Sequence, residues 1–184
     1  MFVAHIFAGY LLTRQIVTKR KTVVSSKQYY LFGIFCSILP DIDLLYFYTI
    51  DHRQHIHHSY WTHIPIFWIS VTLMLFLLSK LIRKNIGTYL LLLLANTLAH
   101  LLLDSVAGGI FWFYPLSEDY VRWFHIPSRF DWWVWNYIFH WTFLLEISII
   151  ASALLVFYFD NRREKRLQDG SAANAAMIQP VELE

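Results

Sequence analysis

Three apolar runs, at residues 64–82, 86–103 and 137–159, set what this chain can become. Each is close to or beyond the roughly 20 residues that a helix needs to cross a ~30 Å hydrocarbon core. Two more segments, 2–17 and 29–50, are apolar but less regular. The first is short and carries Arg14 near its end. The second is interrupted by Pro40, Asp41 and Asp43, so it reads as a helix to about Leu39, a polar break, and a second apolar piece. Such breaks persist at membrane depth only where protein or a water-filled cavity satisfies the backbone. Only 15% of the 184 residues are charged and 57% are hydrophobic, against ~25% charged in soluble proteins. That leaves too few charges to cover a water-facing surface. A disordered chain, a coiled coil and a basic nucleic-acid-binding domain are excluded on the same ground. No cleavable leader is expected, because no basic stretch precedes the first apolar run.

The basic residues give an orientation. Arg14, Lys19, Arg20, Lys21 and Lys27 lie between the first two segments; Lys80, Arg83 and Lys84 lie between the third and fourth; Arg162, Arg163, Lys165 and Arg166 follow the fifth. Five transmembrane helices with the N-terminus outside and the C-terminus cytoplasmic place all of these on one side. The expected fold is therefore an all-α integral membrane protein. It has one helical domain over residues 1–159 and a mobile cytoplasmic tail over 160–184. Cys36, the single cysteine, has no partner for an internal disulfide and reads as a small core residue.

On that topology the nine histidines fall toward the outer face, joined by Asp41, Asp43, Asp51 and Asp104. His100 and Asp104 are four residues apart, hence on one helix face, inside an otherwise apolar run. An ionisable group there signals function by default, and imidazole with carboxylate suits zinc, manganese or iron. A His–Asp hydrogen bond at a helix end is the plainer alternative. Leu39-Pro40-Asp41-Ile42-Asp43 offers two carboxylates after a helix stop; the plainer reading is a turn whose aspartates cap the next helix. The stretch 52–63 holds five histidines. His58 and His63 are the preferred ligands, since His63 leads directly into a helix. His52 and His55 are expected to stand behind the ligands or to meet substrate with Arg53. His5, His140 and Glu146 are weaker candidates, and a hydrogen-bonded structural role for Glu146 is an equal alternative. His125 reads as a loop residue. Trp112, Trp123, Trp132, Trp133 and Trp135 crowd the second outer loop. They form either an interfacial belt or a roof that presents lipid head groups to the site.

Taken together these residues resemble the YdjM-type family of membrane-bound, metal-dependent hydrolases. The likeness rests on His5, on Leu39 to Asp43, on His58-Ser59-Tyr60-Trp61-Thr62-His63, on His100 to Asp104, and on the glycines and Tyr114-Pro115-Leu116-Ser117 that follow. It covers roughly residues 1–118. The family's His-Arg element aligns either on His52-Arg53 or on His58-Ser59. A more distant similarity is to zinc-dependent phospholipase C and P1-type nucleases, whose His-x-x-x-Asp motif His100 and Asp104 match.

The resemblance implies a divalent metal, zinc first and manganese or iron as alternatives. His5, Asp41, Asp43, His58, His63, His100 and Asp104 would hold it. Asp43, His52, Arg53 and His55 would take catalytic roles. The expected reaction is hydrolysis of a phosphoester in a membrane lipid or lipid-linked substrate by a metal-activated water. The expected place is a bacterial-type inner or plasma membrane, with the site extracytoplasmic and no nucleic-acid partner. Two other functions stay open. One is a non-catalytic metal or pH sensor or scaffold. The other is a metal transporter, which the lack of polar groups along the third and fourth segments disfavours.

Overall fold

The computed structural model describes residues 3–19 and 26–177. Arg20 and Lys21 of the first basic cluster, and tail residues 178–184, lie outside that set. Among the described residues seven α-helices follow one another: α1 (Ala4–Lys19), α2 (Ser26–Ile38), α3 (Asp43–Thr49), α4 (Pro65–Leu81), α5 (Gly87–Asp104), α6 (Trp133–Ile138) and α7 (Phe143–Met177). Single 3-10 turns occupy Leu39–Ile42, His57–Ser59 and Trp61–His63. Among the described residues there is no strand, only an isolated bridge between Ile110 and Val121.

Among the described residues three helical stretches are long and apolar enough to cross a membrane: Lys27–Thr49, Gly87–Asp104 and Phe143–Asp169. Pro65–Leu81 is apolar but has 17 residues, and α1 has 16. At 1.5 Å per residue these two rise only about 24–26 Å. The stretch Lys27–Thr49 is α2, the Leu39–Ile42 turn and α3 in succession, so the expected break at Pro40 is present. Proline occupies the start of that turn, where its missing N–H costs nothing. Two expected boundaries shift. The last apolar segment does not begin as one helix at 137. α6 ends at Ile138, and α7 starts at Phe143 after a turn in which His140 Nδ1 meets Thr142 Oγ1 at 2.9 Å. Nor does that helix end at 159, because α7 runs on to Met177 with no proline to stop it.

α5 sits in the middle, packed against α1, α2 and α4, while α7 packs on α1. Within lipid, burial of apolar area does little to hold helices together, and close packing of small residues does more. That device joins α1 to α2. A Cβ on Gly33 would stand 1.9 Å from Thr13 Oγ1, and one on Gly9 would stand 2.4 Å from Ser37 Oγ. Apolar contacts fill the rest, with Cys36, Trp68, Leu93, Leu101 and Ile110 forming one buried cluster. Many large side chains on α4 and α7 stay exposed, among them Leu73, Leu77, Leu154 and Phe157. In a monomer in water such faces would be a liability; they suit contact with lipid.

α1 and α7 run parallel. The start of each is joined by Glu146, which accepts from the backbone N–H groups of Val3 and Ala4. Further along, the Arg14 guanidinium is paired bidentately with Asp160. The starts of α1, α4 and α7 and the ends of α2 and α5 thus gather at one end of the bundle.

Candidate metal centre

That shared end is where the ionisable residues meet. Asp104, at the last position of α5, is buried at its centre. Its Oδ1 lies 3.1 Å from His5 Nε2 on α1. Its Oδ2 lies 3.0 Å from His100 Nε2, 3.7 Å from His63 Nε2 and 3.8 Å from His58 Nε2. Asp41 Oδ1 closes the other side, 3.6 Å from His100 Nε2 and 3.8 Å from His63 Nε2. Among the described residues three overlapping sets of ligand atoms are close enough to hold an ion: Asp41 with His63 and His100; His5 with His100 and Asp104; His57 with His58 and His63.

The hydrogen bonds fix which nitrogen each imidazole turns inward. His100 Nδ1 lies 2.8 Å from the Ser37 carbonyl. A carbonyl only accepts, so Nδ1 carries the proton. His63 Nδ1 lies 2.9 Å from Asp43 Oδ2 and donates to it in the same way. In both rings Nε2 is buried and makes no hydrogen bond. Both Nε2 atoms therefore face carboxylate oxygens at 3.0–3.8 Å. Such an arrangement calls for a cation at each nitrogen, a metal ion or a proton. Around a tetrahedral zinc with bonds of 2.0–2.1 Å, ligand atoms stand about 3.4 Å apart. The donor set fits a divalent ion. The anchoring of Nδ1 by a carboxylate or carbonyl is the usual support behind metal-bound histidine.

The chain builds this geometry locally. The Leu39–Ile42 turn swings Asp41 toward α5, and α3 then begins at Asp43. Thr62 Oγ1 donates to Asp43 Oδ2 at 2.5 Å, holding the carboxylate that holds His63. Trp68 Nε1 donates to the Thr62 carbonyl at 2.7 Å, which ties this turn to α4. His58 fits against Gly108, where a Cβ would come within 2.2 Å of its Cε1. Burial, with help from the neighbouring His63 and His57, lowers the His58 pKa to about 3 against the pull of Asp104. Its ring is thereby neutral and able to ligate. Burial also lowers His63, but Asp41 and Asp43 outweigh it and raise the pKa to about 9.

Six of the seven expected ligands, His5, Asp41, His58, His63, His100 and Asp104, are brought together. Asp43 is adjacent but plays a different part: it belongs to none of the three ligand sets, and Oδ2 is occupied by His63 and Thr62. The expected catalytic residues His52, Arg53 and His55 are not brought in. Asp51 draws the chain away from the cluster there. It accepts from the His55 backbone N–H at 3.0 Å and pairs with His55 Nδ1 at 2.5 Å, a turn closed by the side chain four residues back that leaves the His55 ring exposed. His52 and Arg53 take positive φ angles of 50° and 64°, and the Arg53 guanidinium stands over the Tyr48 ring. His125 is exposed and His140 is engaged with Thr142.

His57 was not expected. Its Nε2 is 3.3 Å from Asp41 Oδ1 and its Nδ1 is 3.2 Å from Asp43 Oδ1. The five-residue spacing of His58 and His63 favours His58 in the sequence, and nothing in spacing shows that one 3-10 turn points both neighbours inward. Ser37 was missed for a simpler reason, since its backbone carbonyl is what matters. Glu146 is no ligand in these sets; besides the Val3 and Ala4 N–H groups it accepts from the Tyr137 hydroxyl.

Comparison with curated proteins finds no match, and comparison with solved structures finds none either. The model of the YdjM inner membrane protein family matches residues 1–165, which reaches past the motifs into α7. With nine-tenths of its length covered, the chain belongs to the YdjM inner membrane protein family.

Proposed function

We propose that this protein is a membrane-bound, metal-dependent hydrolase of phosphoesters in lipid or lipid-linked substrates. One observation carries the reading: the buried, hydrogen-bond-free Nε2 atoms of His63 and His100 converge on Asp41 and Asp104. His63, His100, Asp41 and Asp104 would hold one divalent ion. His5 and His58, both facing Asp104, would complete that site or hold a second. Zinc suits the set best, and manganese or iron suit it too. When bound, such an ion lowers the pKa of water and offsets charge developing on a phosphoryl oxygen.

The chain's own residues supply the rest. Asp43 and Ser37 orient the two histidines. His57, between Asp41 and Asp43, is placed to take a proton. Arg53 has no part in this scheme, because its side chain rests on Tyr48.

Five spans with the N-terminus outside agree with the gathering of alternate helix ends at the site. Arg14 and Lys80 lie toward the opposite ends of their helices. By the basic-residue rule the site then opens extracytoplasmically. A sensor or scaffold would use the same ligands without turnover. The discriminating experiment is elemental analysis of the detergent-purified protein beside Asp104→Ala, with phosphoester turnover measured on both. One to two zinc, manganese or iron ions per chain, lost in the variant together with turnover, supports the hydrolase. Metal without turnover on any phosphoester supports the sensor. A wild-type chain that takes up no metal overturns both.

A further inference from the structure

A cleft of about 440 Å³ opens beside the cluster, lined by Ile42, Asp43, Tyr46, Tyr60, Trp61 and Thr62. Its volume is within the range of small-molecule sites. Burial divides its lining in two. Asp43 and Thr62, the pair that anchors His63, are buried, while Ile42, Tyr46 and Trp61 are exposed. The cleft thus runs from an exposed apolar rim to a carboxylate at the edge of the metal ligands. Ile42 and Tyr46 are one helical turn apart, on the part of the chain that completes the span Lys27–Thr49. Leu45 beside them is also exposed. A rim lined by isoleucine, tyrosine and tryptophan, on the flank of a stretch long and apolar enough to span, suits contact with lipid. Water would find few polar partners along such walls.

We propose that this cleft is a lateral binding site for the acyl chain of a bilayer lipid, which brings the ester of that lipid from the membrane to Asp43 and the His63–His100–Asp104 cluster. The role of that ester rests on the hydrolase reading; the acyl-chain site does not. Tyr46 and Tyr60, packed edge to face with centroids 5.7 Å apart, form one wall. Trp61 and Ile42 complete the lining. Substrates with short, water-soluble chains would bind without the benefit of these contacts.

The test is photo-crosslinking of the full-length detergent-purified protein with a phospholipid carrying a diazirine in its acyl chain, mapped by peptide mass spectrometry. Saturable labelling concentrated at 42–46 and 60–62 is expected. In Ile42→Trp, which fills the cleft, half-saturation is expected to weaken by about tenfold or more. Leu154→Trp on the exposed face of α7 is expected to leave it unchanged. Trp61→Ala, which removes part of the rim, serves as a second variant and is expected to weaken labelling too. Labelling spread evenly along the exposed faces of α4 and α7, or insensitive to both cleft variants, overturns the proposal. Chelator treatment separates the two readings. A protein that never holds metal yet keeps saturable cleft labelling refutes the hydrolase and retains the acyl-chain site. A protein that turns over phosphoesters but labels diffusely does the reverse.

Discussion

The Nε2 atom of His100 stands 3.0 Å from Oδ2 of Asp104, one turn further along α5, and makes no hydrogen bond. The proton of that ring is committed to the Ser37 carbonyl on the other side. In the neutral ring the contact is therefore lone pair against carboxylate in a buried place, and it supports the proposed ligand role of the pair more firmly than their spacing does. Asp43 does for His63 what Ser37 does for His100. Asp43→Asn keeps the shape and removes the charge that supports the ring. Metal affinity, measured by competition with a chelator, is expected to fall by about 10–100-fold, the range for partners behind metal-bound histidine. Asp104→Asn is expected to cost more, since a ligand itself is lost.

Gly108 makes room for His58. Gly108→Ala would place a methyl group 2.2 Å from the ring, so ring or helix end must move. The expected cost is about 1–3 kcal/mol, typical of overpacking, read as a lower unfolding midpoint in detergent. Adding His58→Ala should recover most of that stability, because it removes the clash. If the double variant is as unstable as the sum of the singles, the steric account is wrong.

Glu146 holds the start of α1 through two backbone N–H groups and receives the Tyr137 hydroxyl. A carboxylate at a helix start satisfies donors that have no partner within the helix. Glu146→Ala leaves buried donors without that acceptor, a loss of about 1–3 kcal/mol. Because His5 sits in that first turn, the variant should also weaken metal retention. Glu146→Gln, still an acceptor, should retain more of both. Thermal unfolding with metal analysis on the same samples checks the pair.

Asp51 governs the loop before the cluster. Burial raises its pKa, but the His55 ring and backbone and the Tyr60 hydroxyl outweigh that and lower it from 3.8 to about 2. A carboxyl held down in the folded state contributes stability above pH 3.8 and loses it as the pH falls toward 2. In metal-free protein, protection of the His55 amide from hydrogen exchange, corrected for intrinsic rate, should decline over that interval. Asp51→Asn, whose amide oxygen accepts at any pH, should show no such decline.

Much of this architecture was legible because membrane helices announce themselves. The apolar runs, the break at Pro40 and the His100–Asp104 face needed only length and helical period. The site was less legible where it depends on turns. His57 and His58 are neighbours in sequence, and only the backbone of a single 3-10 turn sends both toward Asp41, Asp43 and Asp104. His52 and His55 were expected to stand behind the ligands or to meet substrate with Arg53, and nothing in their spacing shows that Asp51 closes a turn around His55. Glu146 was open between ligand and support. What settled it was contact with residues 3 and 4, more than 140 positions away, which no local pattern encodes.

The four-residue turn Leu39–Ile42 has a consequence for how this protein tolerates change. It is the joint at which a span trades one helical pitch for another, and side-chain direction beyond it depends on its length. Adding or removing one residue there would rotate α3 by about 100–120° relative to α2. Asp43 would then swing away from His63 while Ile42 and Tyr46 turned off the cleft. Hydropathy and span length would barely register the change. In this chain the divide between the lipid-facing side and the ligand-facing side is thus a matter of phase, set by a joint one turn long.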